Sequence, residues 1–184
     1  PIGSFKIRGG LVYFANLAKS SEMPKGIVSA TRGNHGQSVG FAARRYGIPA
    51  TIVAPHGNSV EKNAAMRAFG VQLIEHGEDF QAAREYAKDL AHEKSLKMIS
   101  SFDPLLVTGV ATYSLELLRA VKDLDVVYVP IGLGSGICGM LAVRDALELN
   151  TEIVGVVSAH ANTYAKSFVS RSPVESTVST KIAD

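Results

Sequence analysis

The hydrophobic and polar positions of this chain alternate between two patterns. Short, nearly uninterrupted apolar runs such as VVYVPI and IVGVV are typical of strands that are covered on both faces of a sheet. Longer segments with apolar residues three and four positions apart are typical of amphipathic helices. The patterns predict strands at 26–30, 50–54, 71–75, 97–100, 125–130 and 152–157, and helices at 6–19, 37–46, 60–69, 79–93, 105–122 and 137–149.

This alternation of strand and helix predicts right-handed βαβ units, and therefore an α/β fold with mainly parallel sheets. Gly47 and Gly70 follow two of the predicted helices, at the position where glycine is preferred. The stretch SSFDP at 100–104 interrupts the alternation and marks a predicted domain boundary. The chain starts in PIGSFK and stops in STKIAD without caps or tails, so we expect an internal piece of a longer protein.

Composition excludes several classes of function. With 46% hydrophobic and 20% charged residues, the chain is typical of a soluble globular protein, and its net charge of +2 does not indicate a nucleic-acid or anionic membrane partner. No apolar run approaches the roughly 20 residues that span a bilayer. Cys138 is the single cysteine, which excludes an internal disulfide and fits a reducing compartment. We therefore expect a cytoplasmic protein.

A turn with the sequence TRGNHGQ follows the first predicted strand. Ligands of open α/β sheets bind at the carboxyl ends of the strands, so this turn is a candidate site. Gly33 and Gly36 bracket Asn34 and His35 directly before a helix, whose first amides can bind an anion. The alternative is an ordinary asparagine-containing turn that caps the helix.

A second turn, VPIGLGSGICG, follows the most apolar strand. Its glycines let the backbone approach a ligand closely and direct several amides toward a phosphate. The segment 134–139 also satisfies GxGxxG, so a nucleotide-binding oxidoreductase is an alternative. That reading requires an acidic residue at the end of the next strand, where this chain has Val157, Ser158 and Ala159. The pattern favours a phosphate site over a dinucleotide site.

The third candidate is Lys6, in the stretch PIGSFKIRGG. It is either a solvated surface lysine or an amine placed for chemistry. Pyridoxal phosphate needs amides for its phosphate, a polar partner for its phenolic oxygen and an amine for its Schiff base. The two turns and Lys6 supply all three.

These motifs carry a resemblance to a known family. Through GSFKIRGG, TRGNHGQ, SSFDP, VPIGLGSGICG and TKIAD, in family order, the chain resembles the fold-type II pyridoxal-phosphate enzymes. The threonine/serine dehydratases are the most similar members, with serine racemase and threonine synthase more distant. The resemblance implies three-layer parallel sheets with flanking helices, as in the tryptophan synthase β-subunit. It also implies a small domain at 10–100, part of the large cofactor-binding domain at 101–184 with the Schiff-base lysine in 1–9, and a homodimer or higher homo-oligomer.

The resemblance assigns roles to individual residues. Lys6 would carry pyridoxal 5'-phosphate and move the substrate Cα proton, while Phe5 packs against the cofactor and Asn34 bonds its phenolic oxygen. The substrate carboxylate would be bound by Thr31, Asn34 and His35, largely through amides. The phosphate would be bound by the backbone amides of Gly132, Leu133, Gly134, Ser135 and Gly136. Leu133 and Ser135 stand where relatives have glycines, so the loop is narrower and the Ser135 hydroxyl is a possible phosphate donor.

Arg32 departs from the family pattern. Its position normally carries a small residue, and in the racemase-like members a serine that acts as an acid on the second face of the carbanion. Arginine does not readily release a proton at neutral pH, so we expect weak racemisation. Its guanidinium fork suits a carboxylate, either the α-carboxylate or the second carboxylate of a substrate such as 3-hydroxyaspartate. The alternative is an arginine directed to solvent.

Two further departures concern metal and substrate. Val157 replaces a glutamate of the family's divalent-cation site, and the histidines show no ligand spacing, so we predict no metal. Val110 replaces a family glutamine, which predicts a remodelled substrate pocket. The function predicted is conversion of L-threonine or L-serine to a 2-oxo acid and ammonia by β-elimination. The alternatives are a dehydratase of an acidic β-hydroxy amino acid and a non-catalytic cofactor-binding descendant.

Overall fold

The computed structural model describes residues 3–20 and 23–176, and this part alternates helices with strands almost throughout. The last predicted motif, TKIAD, lies outside the described residues. The elements are α1 Lys6–Leu17, β1 Ile27–Ala30, α2 Asn34–Arg45, β2 Ala50–Ala54, α3 Val60–Ala68, β3 Gln72–Glu75, α4 Phe80–Glu93, β4 Lys97–Met98, α5 Pro104–Ala120, β5 Val126–Pro130, α6 Ser135–Ala146, β6 Glu152–Val156 and α7 Thr163–Ser170. The predicted α/β fold with parallel sheets and flanking helices is confirmed.

Three elements differ from the sequence-based expectation. Helices α2 and α6 begin at Asn34 and Ser135, a few residues earlier than predicted, because each starts directly after the glycine of its turn. Helix α7 was not predicted, since its segment is rich in serine and threonine. The helix has only eight residues, and none of them is buried.

The chain divides into two compact units, Pro1–Val110 and Ala111–Asp184. The first nine residues belong to the first of these units, and the division falls at Val110 rather than near residue 100. How these units correspond to the domains of the complete protein stays a prediction.

The first unit contains a four-stranded parallel sheet with the order β3-β2-β1-β4. The chain leaves β1 toward β2 and β3 on one side and returns to β4 on the other side. The carboxyl edge between β1 and β4 is therefore the topological switch point of the sheet, where ligands of open α/β sheets bind. The turn at 31–36 follows β1 and the SSFDP segment follows β4, so both motifs lie at this edge.

Alternating residues of the central strands fill two separate cores of this unit. Ile27 and Ile52 pack with residues of α1, α2 and α3 on one face of the sheet. Val28 and Val53 pack with residues of α4 on the other face. Strands β1 and β2 are buried along their whole length, which explains why they are apolar without interruption.

Glycines allow helix α1 to pack unusually closely. A Cβ at Gly10 would overlap Ser38 of α2, and a Cβ at Gly9 would lie 2.7 Å from the carbonyl oxygen of Leu106. A Cβ at Gly109 would overlap the carbonyl group of Arg8. The start of α1 is thus fixed between two neighbouring segments by contacts that admit no side chain.

The second unit contains the parallel pair β5 and β6, which packs on α5 and α6 around Leu118, Val129 and Met140. The apolar runs of β5 and β6 predicted strands covered on both faces, but in this unit both strands are largely exposed, and Tyr128 is 70% exposed. Phe168 of α7 is 85% exposed. In the part of the chain that the structure describes, no helix is both long and apolar enough to cross a membrane.

Candidate active site

Lys6 is the first residue of α1, and its backbone is held from two sides. Its N–H donates to the Oγ of Ser4 (3.3 Å), and its carbonyl oxygen accepts a hydrogen bond from the Oγ of Ser38 in α2 (2.6 Å). The Lys6 ammonium lies 5.7 Å from the centre of the Phe5 ring. Burial lowers the pKa of Lys6 from its ordinary value of 10.5. A lower pKa increases the fraction of neutral amine at neutral pH, which is the form that acts as nucleophile or base.

The turn after β1 is anchored through its backbone. The N–H of Thr31 donates to the carbonyl oxygen of Val53 (3.0 Å), and the N–H of Gly33 donates to Thr31 Oγ1 (3.1 Å). A Cβ at Gly33 would lie 2.7 Å from the Cδ of Lys62, so the stem of that lysine covers Gly33 and would have to move to admit a side chain there.

Side chains along this turn alternate between the interior and solvent. Thr31 and His35 are buried, whereas Arg32 and Asn34 are exposed. The His35 ring contacts the Oγ of Ser29, and burial together with the positive charge of Lys6 lowers the pKa of His35 to about 3. His35 is therefore a neutral imidazole at neutral pH. The exposed pair presents a guanidinium and a carboxamide from the same turn.

The glycine-rich turn of the second unit starts helix α6. Gly134 is the N-cap and adopts a left-handed conformation with φ 96°, which favours glycine. Gly132 and Leu133 are exposed, while Ser135 and Gly136 are buried at the start of the helix. A Cβ at Gly132 would meet no atom within 4 Å, so the space beside this backbone is open.

Helices α2 and α6 share an uncapped amino end. Their N-cap residues, Gly33 and Gly134, offer no side-chain hydrogen bond, and neither helix has an acidic residue in its first turn. Helices α3 and α4, by contrast, are capped by Ser59 and Asp79. At both candidate turns the N-cap residue is therefore a glycine without a capping oxygen, and no negative charge in the first turn competes with an anionic ligand.

A comparison with protein-family models decides the family. The family described as "Pyridoxal-phosphate dependent enzyme" matches residues 1–184, the whole chain. The chain belongs to this family.

Individual relatives agree with this assignment. The catabolic L-threonine dehydratase TdcB of Staphylococcus aureus (strain USA300) is 34% identical over 183 residues, 99% of this chain and 53% of that protein. The processed form of threonine deaminase isoform 2 from Solanum lycopersicum has a TM-score of 0.90 at 33% identity, covering 100% of this chain and 53% of that one. A pyridoxal 5'-phosphate-dependent aspartate racemase has a TM-score of 0.88 at 26% identity, covering 95% and 53%. The chain spans about half the length of each of these proteins.

The residues of both units fit the family's cofactor. The first unit provides an amine of lowered pKa and an exposed asparagine, Lys6 and Asn34. The second provides an open loop and an uncapped helix end of the kind that binds phosphate, at 132–136.

The described residues contain no cluster of three His, Cys, Asp or Glu side chains that could hold a metal ion. Val110, which replaces the family glutamine, is 1% exposed.

Sequence reasoning missed three residues that support this site. Ser29 and Ser38 hydrogen-bond to the site from buried positions, and the stem of Lys62 covers Gly33. Ser29 left one signal, since a lone hydroxyl inside the apolar run IVSA needs a hydrogen-bond partner once buried. Nothing in the sequence indicates the contacts of Ser38 and Lys62, because these contacts depend on how α1, α2 and α3 pack.

Proposed function

We propose that the complete protein is a pyridoxal-phosphate-dependent dehydratase. It converts L-threonine or L-serine to a 2-oxo acid and ammonia by β-elimination. The observation that carries this proposal is Lys6, an amine whose pKa burial lowers, fixed at the start of α1 by Ser4 and Ser38. The names of the relatives support it, because the S. aureus protein is a threonine dehydratase and the tomato protein a threonine deaminase.

The proposal gives each candidate residue a task. Lys6 carries the cofactor, Phe5 packs against it and Asn34 bonds its phenolic oxygen. When bound, the cofactor stabilises the electron pair left on the substrate Cα after proton removal. The Nζ of Lys6 takes that proton, and its lowered pKa keeps more of the amine in the basic form. The phosphate is bound by the amides of Gly132, Leu133, Gly134, Ser135 and Gly136.

The turn after β1 binds the substrate carboxylate. Thr31, Arg32, Asn34 and His35 are the residues that bind it, largely through the amides at the start of α2. The neutral His35 leaves the positive charge of this turn to Arg32. Binding at this turn orients the Cα proton for removal.

Borohydride reduction of the complete protein loaded with pyridoxal phosphate tests the proposal. Peptide mass spectrometry should find a pyridoxyl group on Lys6, and the untreated protein should release 2-oxobutanoate from threonine. Lys6→Ala should lose both signals, whereas Lys19→Ala, at an exposed position beyond the end of α1, should keep both. An unmodified Lys6 in folded, cofactor-supplied protein would contradict the proposal and favour a non-catalytic descendant.

A second candidate is dehydration of an acidic β-hydroxy amino acid such as 3-hydroxyaspartate. It is supported by Arg32, whose exposed guanidinium has no hydrogen-bond or ion-pair partner among residues 3–20 and 23–176. The likeness to a racemase that acts on aspartate also supports it. Comparing kcat/KM for threonine and 3-hydroxyaspartate in the parent and in Arg32→Ala separates the two. A loss confined to the acidic substrate favours the second candidate, and an equal loss assigns Arg32 to the α-carboxylate.

We further propose that the protein acts in the cytoplasm as a homodimer or higher homo-oligomer, without a nucleic-acid or membrane partner. The single cysteine and the exposed apolar side chains of the second unit, such as Tyr128, support this. Light scattering on the complete protein would measure the oligomeric state, and a monomer at micromolar concentration would overturn this part of the proposal.

A further inference from the structure

The side chain of His35 takes part in a buried hydrogen-bonded chain. Its Nε2 lies 3.2 Å from the Oγ of Ser29, a fully buried residue of β1. The same Oγ lies 2.8 Å from the carbonyl oxygen of Ile99, the residue after β4. The chain therefore connects the first turn of α2 to both strands that form the switch point of the sheet.

The direction of these hydrogen bonds follows from the available protons. The carbonyl oxygen of Ile99 only accepts, so the single hydroxyl proton of Ser29 is donated to it. The Ser29 oxygen must then accept from His35, and the proton of the imidazole is on Nε2. The low pKa of His35 agrees with this arrangement, because a neutral ring carries one proton and leaves Nδ1 as an acceptor.

We propose that His35 is a positioning residue that acts through Ser29. It holds the turn at 31–34 in the conformation that presents its amides and the Asn34 side chain to cofactor and substrate. This inference rests on the proposed function. It goes beyond that function because it assigns the His35 side chain to the sheet rather than to the substrate.

The other anchors of the turn explain why this link is needed. Thr31 is bound to β2 at the start of the turn, and the backbone of Gly33 is bound to Thr31 within the turn and to Gln37 in α2. Arg32 and Asn34 are exposed and contribute no buried contact. His35 thus provides the buried side-chain anchor at the end of the turn, directly after the residue proposed to bind the phenolic oxygen.

The chain offers a matched control at the same edge. The Oγ of Ser101 donates to the carbonyl oxygen of Ala30 (3.1 Å), which also joins the end of β1 to the segment after β4. This bond resembles that of Ser29 in type and location, but it does not involve His35. Its loss should affect stability without affecting the turn.

The test uses the complete protein, four single variants and the double variant His35→Leu/Ser29→Ala. His35→Gln can keep a donor at the position of Nε2, His35→Leu removes it, Ser29→Ala removes the acceptor, and Ser101→Ala is the control. Affinity for pyridoxal phosphate is measured by absorbance titration. Amide hydrogen exchange over residues 31–37 is measured in the cofactor-free protein.

We expect His35→Leu and Ser29→Ala each to weaken cofactor affinity about tenfold, the effect of one buried hydrogen bond, and to speed exchange in the turn. The double variant should bind pyridoxal phosphate no more weakly than either single variant, because both substitutions remove the same link. His35→Gln should stay within about threefold of the parent, and Ser101→Ala should match the parent in both measurements.

The proposal would be overturned if Ser29→Ala had the cofactor affinity and the amide exchange rates of the parent. It would also be overturned if the losses of affinity in the two single variants added up in the double variant. The same holds if His35→Gln behaved like His35→Leu at equal stability. If His35→Leu does not fold, Ser29→Ala and His35→Gln still decide the matter. A parent protein that binds no pyridoxal phosphate would instead refute the proposed function, while hydrogen exchange would still report on the link.

Discussion

Lys6 and His35 show how burial sets the chemistry of two neighbouring titratable groups. Burial lowers both pKa values, and the charge of Lys6 lowers that of His35 further. The result is a more available amine at Lys6 and an imidazole that is neutral at neutral pH beside it. The neutral amine can move a proton at neutral pH, and the neutral His35 leaves the positive charge of the turn to Arg32.

The buried His35 makes stability depend on pH in a defined direction. The unfolded chain binds a proton at about pH 6.5, whereas the folded chain binds it only near pH 3, so stability falls as the pH decreases through this window. From pH 7 to pH 5 we expect a loss of about 2 kcal/mol from this group. Urea unfolding at both pH values measures it. His35→Gln should reduce the loss, and the surface control His92→Gln should leave it unchanged.

Arg32 should set the balance between elimination and racemisation. Serine at this position is the proton donor of racemase-like relatives, whereas arginine stays protonated at neutral pH. Arg32→Ser should therefore raise the ratio of D-serine formed to pyruvate released from L-serine, measured by chiral chromatography. Arg32→Ala is the control for loss of the guanidinium alone. An equal ratio in the two variants would contradict this role.

Helix α1 and the loop at 132–136 use glycine for different physical reasons. Gly9 and Gly10 are required by close packing within the protein, because a Cβ there would overlap neighbouring atoms. Gly132 has open space around it, so the folded chain itself does not require glycine at this position. A requirement for glycine there would come from a ligand.

Alanine substitutions should separate these two reasons. Gly10→Ala should destabilise the cofactor-free protein by about 1–3 kcal/mol, because the added Cβ lies 2.9 Å from the Ser38 carbonyl oxygen and overlaps its Oγ. Gly132→Ala should leave the free energy of unfolding of the cofactor-free protein within about 0.5 kcal/mol of the parent value. The same substitution should weaken pyridoxal phosphate binding. Calorimetry and absorbance titration measure these effects. Unchanged affinity in Gly132→Ala would remove this residue from the phosphate site.

Cofactor binding to the folded protein should stabilise it against unfolding. A ligand at 100 times its Kd adds about 2.7 kcal/mol to the free energy of unfolding. Pyridoxal phosphate should thus raise the thermal midpoint of the complete protein in proportion to the logarithm of its concentration. Lys6→Ala should show a smaller rise, and inorganic phosphate a smaller one still. A midpoint that does not respond to pyridoxal phosphate would contradict the proposed function.

The sequence predicted local features well because their causes are local. Uninterrupted apolar runs identified β1, β2, β5 and β6 to within two residues, and the glycine turns were recognised, although α2 and α6 start three and two residues earlier than predicted. Lys6, Asn34 and the phosphate loop could be named because each belongs to a short motif. Their roles remain predictions. Helix α7 was missed because it has only eight residues and lies in a segment rich in serine and threonine.

The tertiary structure alone decided how these pieces act together. The order β3-β2-β1-β4 creates the switch point, and no local pattern specifies it. Ser29 bonds to a residue 70 positions away and Ser38 to one 32 positions away, so their contributions depend on folding. The neutral state of His35 has the same origin, because burial and a neighbouring charge set its pKa. The sequence determined which chemical groups are present, and packing over long distances along the chain determined their environment.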